Sequence, residues 1–243
     1  MKTYPKWLSA AVLSAMLASP AAALETKAKN VILMDYDTGE YLFAENAFVP
    51  VAPASMSKLM TVYVLFSKLK DGTLSLEDVF SVSENAWRTG GAASGSSTMF
   101  LPIGSKVTVE NLIKGIIIQS GNDACIVAAE NIAGSEEDFA ELMNAKAKEL
   151  GLKNSHFVNS TGLPHPDHRM SAEDLARLAQ ALIRDFPEYY SVFSQKSFTY
   201  NNILQGNRNP LLYSMPDADG LKTGHTAEAG FCLTASVKRG DRR

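Results

Sequence analysis

The chain has 243 residues, a formal net charge of -3, 46% hydrophobic residues and 20% charged residues. That is enough apolar material for one sizeable core, so one domain, or one plus a small appendage, is expected. A slightly acidic chain with no basic block excludes a nucleic-acid footprint, and its apolar content excludes disorder.

Residues 1–23 differ from all that follow. Lys2 and Lys6 give a positive start, residues 7–18 are almost wholly apolar, and Pro20 precedes Ala21-Ala22-Ala23. This is the pattern of a secretory signal cut after Ala23. The apolar stretch falls short of the ~20 residues that a spanning helix needs. Residues 24–243 are therefore expected outside the cytoplasm as a single domain. Only Cys125 and Cys232 are present. One pair makes no disulfide scaffold, and two small, buried, unbonded residues are expected.

Two short apolar runs, 31–34 and 41–44, flank Asp37-Thr38-Gly39 and predict an opening β-hairpin. Residues 56–69 are apolar almost all round, which predicts a helix buried on most sides and ended by Asp71-Gly72. The small-residue stretch 90–97 leads at once into Met99-Phe100-Leu101, as a linker or as a loop folded over a site. Helices follow at 109–118 and 123–133, the second closed by Gly134. Ser135 and Ser171 are spaced as N-caps of helices running to about Leu150 and Arg184. Residues 220–226 and 231–237 alternate as a strand pair, and Lys238-Arg239-Gly240-Asp241 has the make-up of a further turn. Strands, then helices, then strands, with no repeated βαβ unit, predict an α/β (α+β) domain with a largely antiparallel sheet.

Three patches carry chemistry. Ser55-Met56-Ser57-Lys58 opens the buried helix, and residues three apart share a face, so Lys58 reaches the Ser55 hydroxyl. Apolar surroundings should push Lys58 toward its neutral, proton-accepting form and make Ser55 nucleophilic without a histidine. Ser120-Gly121-Asn122 lies where two helical patterns meet, so a hydroxyl and an amide can project into one cleft. Lys222-Thr223-Gly224, with His225-Thr226, starts a strand; a fixed cation and a hydroxyl there suit an extended peptide ending in a carboxylate. Taken singly, each patch is equally a cap, an interhelical turn or the start of a strand.

Together and in this order, the three resemble the motifs of penicillin-binding proteins and serine β-lactamases. Ser-Gly-Asn in the middle, with the stretches 116–125 and 219–226, is similar to the low-molecular-mass D-alanyl-D-alanine carboxypeptidases of peptidase family S11, the penicillin-binding protein 5 type. The resemblance implies a β-lactamase/DD-peptidase-like fold with a helical subdomain. It implies that Ser55 attacks the carbonyl between two terminal D-alanines, Lys58 takes its proton and Ser120 relays a proton to the leaving amine. Asn122 would hold the substrate amide; Lys222, Thr223 and Thr226 would bind the carboxylate, with Arg208 at a basic position near that pocket. The backbone N–H groups of Ser55 and His225 would form the oxyanion hole, with Gly224 allowing close approach.

By the same resemblance, the partners are peptidoglycan stem peptides ending in D-Ala-D-Ala, with β-lactams as inhibitors, in the periplasm after export across the inner membrane. Relatives continue with a strand and a helix, a small β-domain and an amphipathic helix. This implies a domain truncated at its C-terminus, with peripheral inner-membrane contact only in a longer form. No cofactor and no metal are expected: His165-Pro166-Asp167-His168 is a proline turn rather than the helical pair of a zinc site. Two alternatives carry their own signals. A β-lactamase would use Glu141-x-x-Asn144, which here falls inside a helical pattern, and a non-catalytic wall protein would keep the pocket without turnover.

Overall fold

The computed structural model describes residues 26–243, so the expected signal segment lies outside the described residues. The opening hairpin forms as its pattern requires, with β1 (Val31–Met34) antiparallel to β2 (Tyr41–Glu45). Its turn is closed by Asp35, whose Oδ1 accepts from the backbone N–H of Asp37 and Thr38 and from the Thr38 hydroxyl. Pro50 and Pro53 break the extended chain, and a 3-10 turn, Ala54–Ser57, feeds α1 (Lys58–Lys70).

Nine of the first ten α1 positions are apolar or uncharged, so burial of the helix on nearly every side is inexpensive; the exception is Lys58. Phe66 packs against the rings of Phe186, Tyr189 and Phe193. Asp71 caps the helix end, and Gly72 takes a left-handed φ of 78°.

A small ladder of β3 (Val79–Ser81) and β4 (Lys106–Thr108) leads into α2 (Val109–Lys114). The sequence predicts one helix over 109–118. The structure instead widens it after Lys114 into a π turn, Gly115–Gln119. A Cβ at Gly115 would lie 2.3 Å from the Met99 sulfur, so the backbone comes this close only as glycine. The turn ends at Ser120, and α3 (Asn122–Ala133) starts two residues later and closes on Gly134 at φ 91°. α4 (Glu136–Glu149) and α5 (Ala172–Asp185) are capped by Ser135 and Ser171, whose side chains accept from the N–H of Asp138 and Asp174.

After the short α6 (Pro187–Tyr190) come the ladder of β5 (Ser197–Tyr200) with β6 (Ile203–Gly206), and α7 (Leu211–Ser214). The last ladder, β7 (Ala218–Thr226) with β8 (Gly230–Val237), is the longest. All four pairings are antiparallel, as expected, yet each is a separate two-stranded ladder. β1 and β8 both pack on α5 without pairing with each other. The helical lobe of α2, α3 and α4 meets the β1–β2 and β7–β8 lobe along α1, and the cleft opens at that junction. Cys125 is buried and Cys232 half-buried, both free, so the expectation of two buried cysteines holds fully only for the first. Among the described residues, no helix is long and apolar enough to cross a membrane, and no cluster of side chains could hold a metal.

Candidate active site

The 3-10 turn before α1 leaves Ser55 half-buried at the cleft while Lys58 points wholly inside. Their three-residue spacing brings Lys58 Nζ 2.8 Å from Ser55 Oγ. The same amine donates to the Thr161 carbonyl at 2.5 Å. Burial pushes the Lys58 amine down from the usual lysine range to about 8, because a charge in a low-dielectric interior loses its hydration. A neutral amine is therefore within reach near physiological pH, and it can then accept the serine proton across the same contact. Cys125 lies close by, but burial pushes its thiol up to about 12, so it stays protonated and is no rival nucleophile.

Thr161 lies on a tightly fastened loop. Asn159 Oδ1 accepts from the N–H of Thr161 and of Gly162, at 3.1 and 2.8 Å. Ser160 donates from its backbone and its hydroxyl to Glu136, and Thr61 of α1 donates to the Ser160 carbonyl. Gly162 has φ 80°, and a Cβ there would fall 2.1 Å from the Ala54 carbonyl oxygen. The loop thus rests directly on the turn that presents Ser55.

From the helical lobe, Ser120 enters the cleft at the end of the π turn with φ 64°, an uncommon left-handed conformation for a residue with a side chain. Ser120 Oγ and Asn122 Oδ1 are both buried without a hydrogen-bond partner among the described residues, and both residues line the cleft. Asn122 Nδ2 donates to Ser96 Oγ at 2.9 Å. The stretch 90–97 is thus a loop folded over the site rather than a linker.

Its anchor is Asp123, wholly buried at the start of α3. The carboxylate accepts from Thr98 Oγ1 at 2.6 Å, Met99 N at 2.9 Å and Leu101 N at 3.0 Å. Asp123→Ala would strand three donors in the core, and stability is expected to fall by about 3 kcal/mol or more. Urea denaturation measures this, and a midpoint unchanged from the parent protein would remove Asp123 from the account.

The opposite wall is β7. Lys222 is 3% exposed, and its amine donates to the Thr223 carbonyl at 3.0 Å. Burial, and then the nearby Lys58 and Arg208 charges, hold its pKa well below the lysine range. Arg208 reaches over the cleft to Ser97 Oγ at 2.6 Å. None of these three cations is in an ion pair with an acidic side chain among the described residues. Such a cluster favours an anionic group.

Gly224 brings the strand against the serine turn, where a Cβ would lie 3.1 Å from Ser55 N. Thr223 lines the cleft, while the exposed His225 ring stacks on Phe231 with centroids 4.3 Å apart. Thr226 also lines the cleft, and its hydroxyl accepts from Ala229 N at 3.0 Å across the β7–β8 turn, which leaves its own proton free to be donated. Ser55, Ser120, Asn122, Arg208, Thr223, Gly224, His225 and Thr226 line one cleft, with Lys58 behind Ser55 and Lys222 within the strand that forms the wall.

Four residues of this site escape the sequence reading: Thr161, Asp123, and the loop serines 96 and 97. Thr161 acts through a main-chain oxygen that no side-chain motif records. The Asp123 signal was available, as an acidic residue in the first turn beside Asn122. Glu141 and Asn144 both lie within α4, and Asn144 pins the backbone of Phe157 at 2.8 and 2.9 Å. His165 and His168 fall in a turn, as the prolines require.

A buried lysine on a helix-start serine, facing a strand with a second buried lysine, is the make-up of the serine–lysine acyl-transfer proteins. The chain belongs to the peptidase S11 family: the family model described as D-alanyl-D-alanine carboxypeptidase matches residues 16–243. D-alanyl-D-alanine carboxypeptidase DacC of Escherichia coli K12 is 50% identical over 214 residues, which cover 87% of this chain and 54% of that protein. DacA of the same organism is 46% identical over 218 residues, covering 89% and 54%. The chain thus spans about half the length of these curated relatives. Penicillin binding protein 5 from Haemophilus influenzae superposes with a TM-score of 0.88 at 40% identity, covering 91% of this chain and 65% of that structure. Penicillin binding protein 6B from Escherichia coli gives 0.84 at 43% identity, covering 92% and 72%.

Proposed function

We propose that this domain is a serine D-alanyl-D-alanine carboxypeptidase acting on peptidoglycan stem peptides. The observation that carries the reading is the 2.8 Å contact of Ser55 with an amine whose pKa is lowered to about 8, in a cleft where Lys222 and Arg208 stand without an acidic partner among the described residues. Ser55 Oγ bonds to the carbonyl carbon of the penultimate D-alanine as its proton passes to Lys58. The oxyanion is held by the N–H groups of Ser55 and His225, each such donor typically worth ~10²–10³ in rate. The C–N bond breaks as a proton reaches the leaving amine by way of Ser120, whose unpartnered hydroxyl suits a relay. Water then hydrolyses the ester.

Lys222, Thr223 and Arg208 take the terminal carboxylate, and Asn122 takes the substrate amide. A β-lactam presents the same groups and would acylate Ser55. The leading segment of residues 1–23 supports export across the inner membrane to the periplasm.

Mass spectrometry after penicillin treatment is expected to show one adduct on the peptide carrying Met56 and Lys58, and the same sample is expected to release D-alanine from a D-Ala-D-Ala peptide. Rapid turnover of a chromogenic cephalosporin without D-alanine release would make it a β-lactamase instead. An adduct without turnover of either would make it a non-catalytic binding protein.

A further inference from the structure

One polar pair at the rim of the cleft has no part in the proposed reaction. Arg169 Nη1 and Glu228 Oε1 are 2.5 Å apart and join the loop carrying Thr161 to the β7–β8 turn. Both residues line the cleft together with Ser55 and Leu163. Each is held from behind. The Arg169 backbone pairs with His156 at 2.8 and 3.0 Å, and the turn bearing Glu228 is closed by Thr226. The side chains are 31% and 49% exposed, and an ion pair open to water to that degree contributes little by itself, so a ligand can part it readily.

β7 sets the order of groups along the cleft. Asn209 donates to the Gly220 carbonyl at 2.8 Å, which places Arg208 at the start of the strand. Gly224 abuts Ser55 N in the middle, and Glu228 follows four residues later. A peptide with its carboxylate at the Arg208 end and its last peptide bond at Ser55 must run its upstream residues toward Glu228. At ~3.3 Å per extended residue, the third residue from the C-terminus arrives at the rim, and a side chain reaching ~6 Å further meets the pair.

We propose that Arg169 and Glu228 form a specificity subsite for that third residue, taking a diamino dicarboxylic side chain. Its ammonium lies on Glu228 and its carboxylate on Arg169, each charge replacing the one it displaces. This assignment rests on the carboxypeptidase reading.

Three peptides ending in D-Ala-D-Ala and differing only at the third residue from the end test it, with diaminopimelate, lysine or norleucine at that position. kcat/KM for D-alanine release is expected to fall about fivefold from diaminopimelate to lysine, and about fivefold again to norleucine. Arg169→Gln is expected to abolish the first step and Glu228→Gln the second, with KM carrying the change. Equal kcat/KM for the three peptides in the parent protein overturns the subsite, as does a preference that survives in both variants. Release at one rate from all three peptides sinks the subsite alone, whereas release from none sinks the carboxypeptidase reading with it.

Discussion

Ser55→Ala is expected to fold normally and to lose D-alanine release by ~10⁴-fold or more, together with all covalent labelling by penicillin. The large effect follows from the geometry. In the proposed reaction the other polar groups of the cleft bind or move protons, and burial keeps the thiols of both Cys125 and Cys232 protonated. Folding should be spared because, among the described residues, the hydrogen bond of the Ser55 hydroxyl is to Lys58, and an alanine fits the half-buried turn. D-alanine release and gel labelling measure the two losses. Retained labelling in the alanine variant would move the nucleophile elsewhere and end the assignment.

The pH dependence of acylation is expected to report Lys58. Only the neutral amine accepts the serine proton, so below pH 8 the rate should rise about tenfold per pH unit, levelling above about 8. Lys58→Arg keeps the positive charge but cannot give it up, and acylation is expected to drop to background at every pH. A rising limb centred near 10.5, or an arginine variant that still acylates, would defeat this role.

Stability shifts through the same group. The folded pKa, about 8, lies below the unfolded value of 10.5, so between those values the unfolded chain binds more protons and stability rises with pH. Below 8 the full penalty is present, on the order of 3 kcal/mol. Lys58→Met should therefore melt higher than the parent protein at pH 7, and the difference should shrink toward pH 10.5.

What the sequence revealed of this site is what side chains announce at short range. Ser55 with Lys58 is a three-residue relation on one turn, and the caps Ser135 and Ser171 are three-residue relations too, so local spacing identified all of them. The hairpin at Asp37-Thr38-Gly39 and the all-round apolar α1 were legible for the same reason.

Long-range and main-chain features were not. The carbonyl that steadies Lys58 comes from a residue 103 positions away. The widened turn starts at Gly115, where Met99 packs too close for a Cβ, a contact that no periodicity within 109–118 encodes. That Thr226 also fastens the β7–β8 turn, through the N–H of Ala229, is a contact no motif announced. The separation of the strands into four ladders is likewise set by which edges meet in space, not by alternation along any one of them.

The hold on Lys58 by Thr161 has a genetic corollary. The acceptor is a peptide oxygen, common to all twenty amino acids, so no codon change at 161 can delete it; only a shift of the whole loop can. The vulnerability passes to the next codon, where a single methyl group would drive the loop off its seat on Ala54. A change at 161 costs at most the two loop contacts of the threonine hydroxyl, with Asn159 and Leu163, and leaves the oxygen that holds the amine in place.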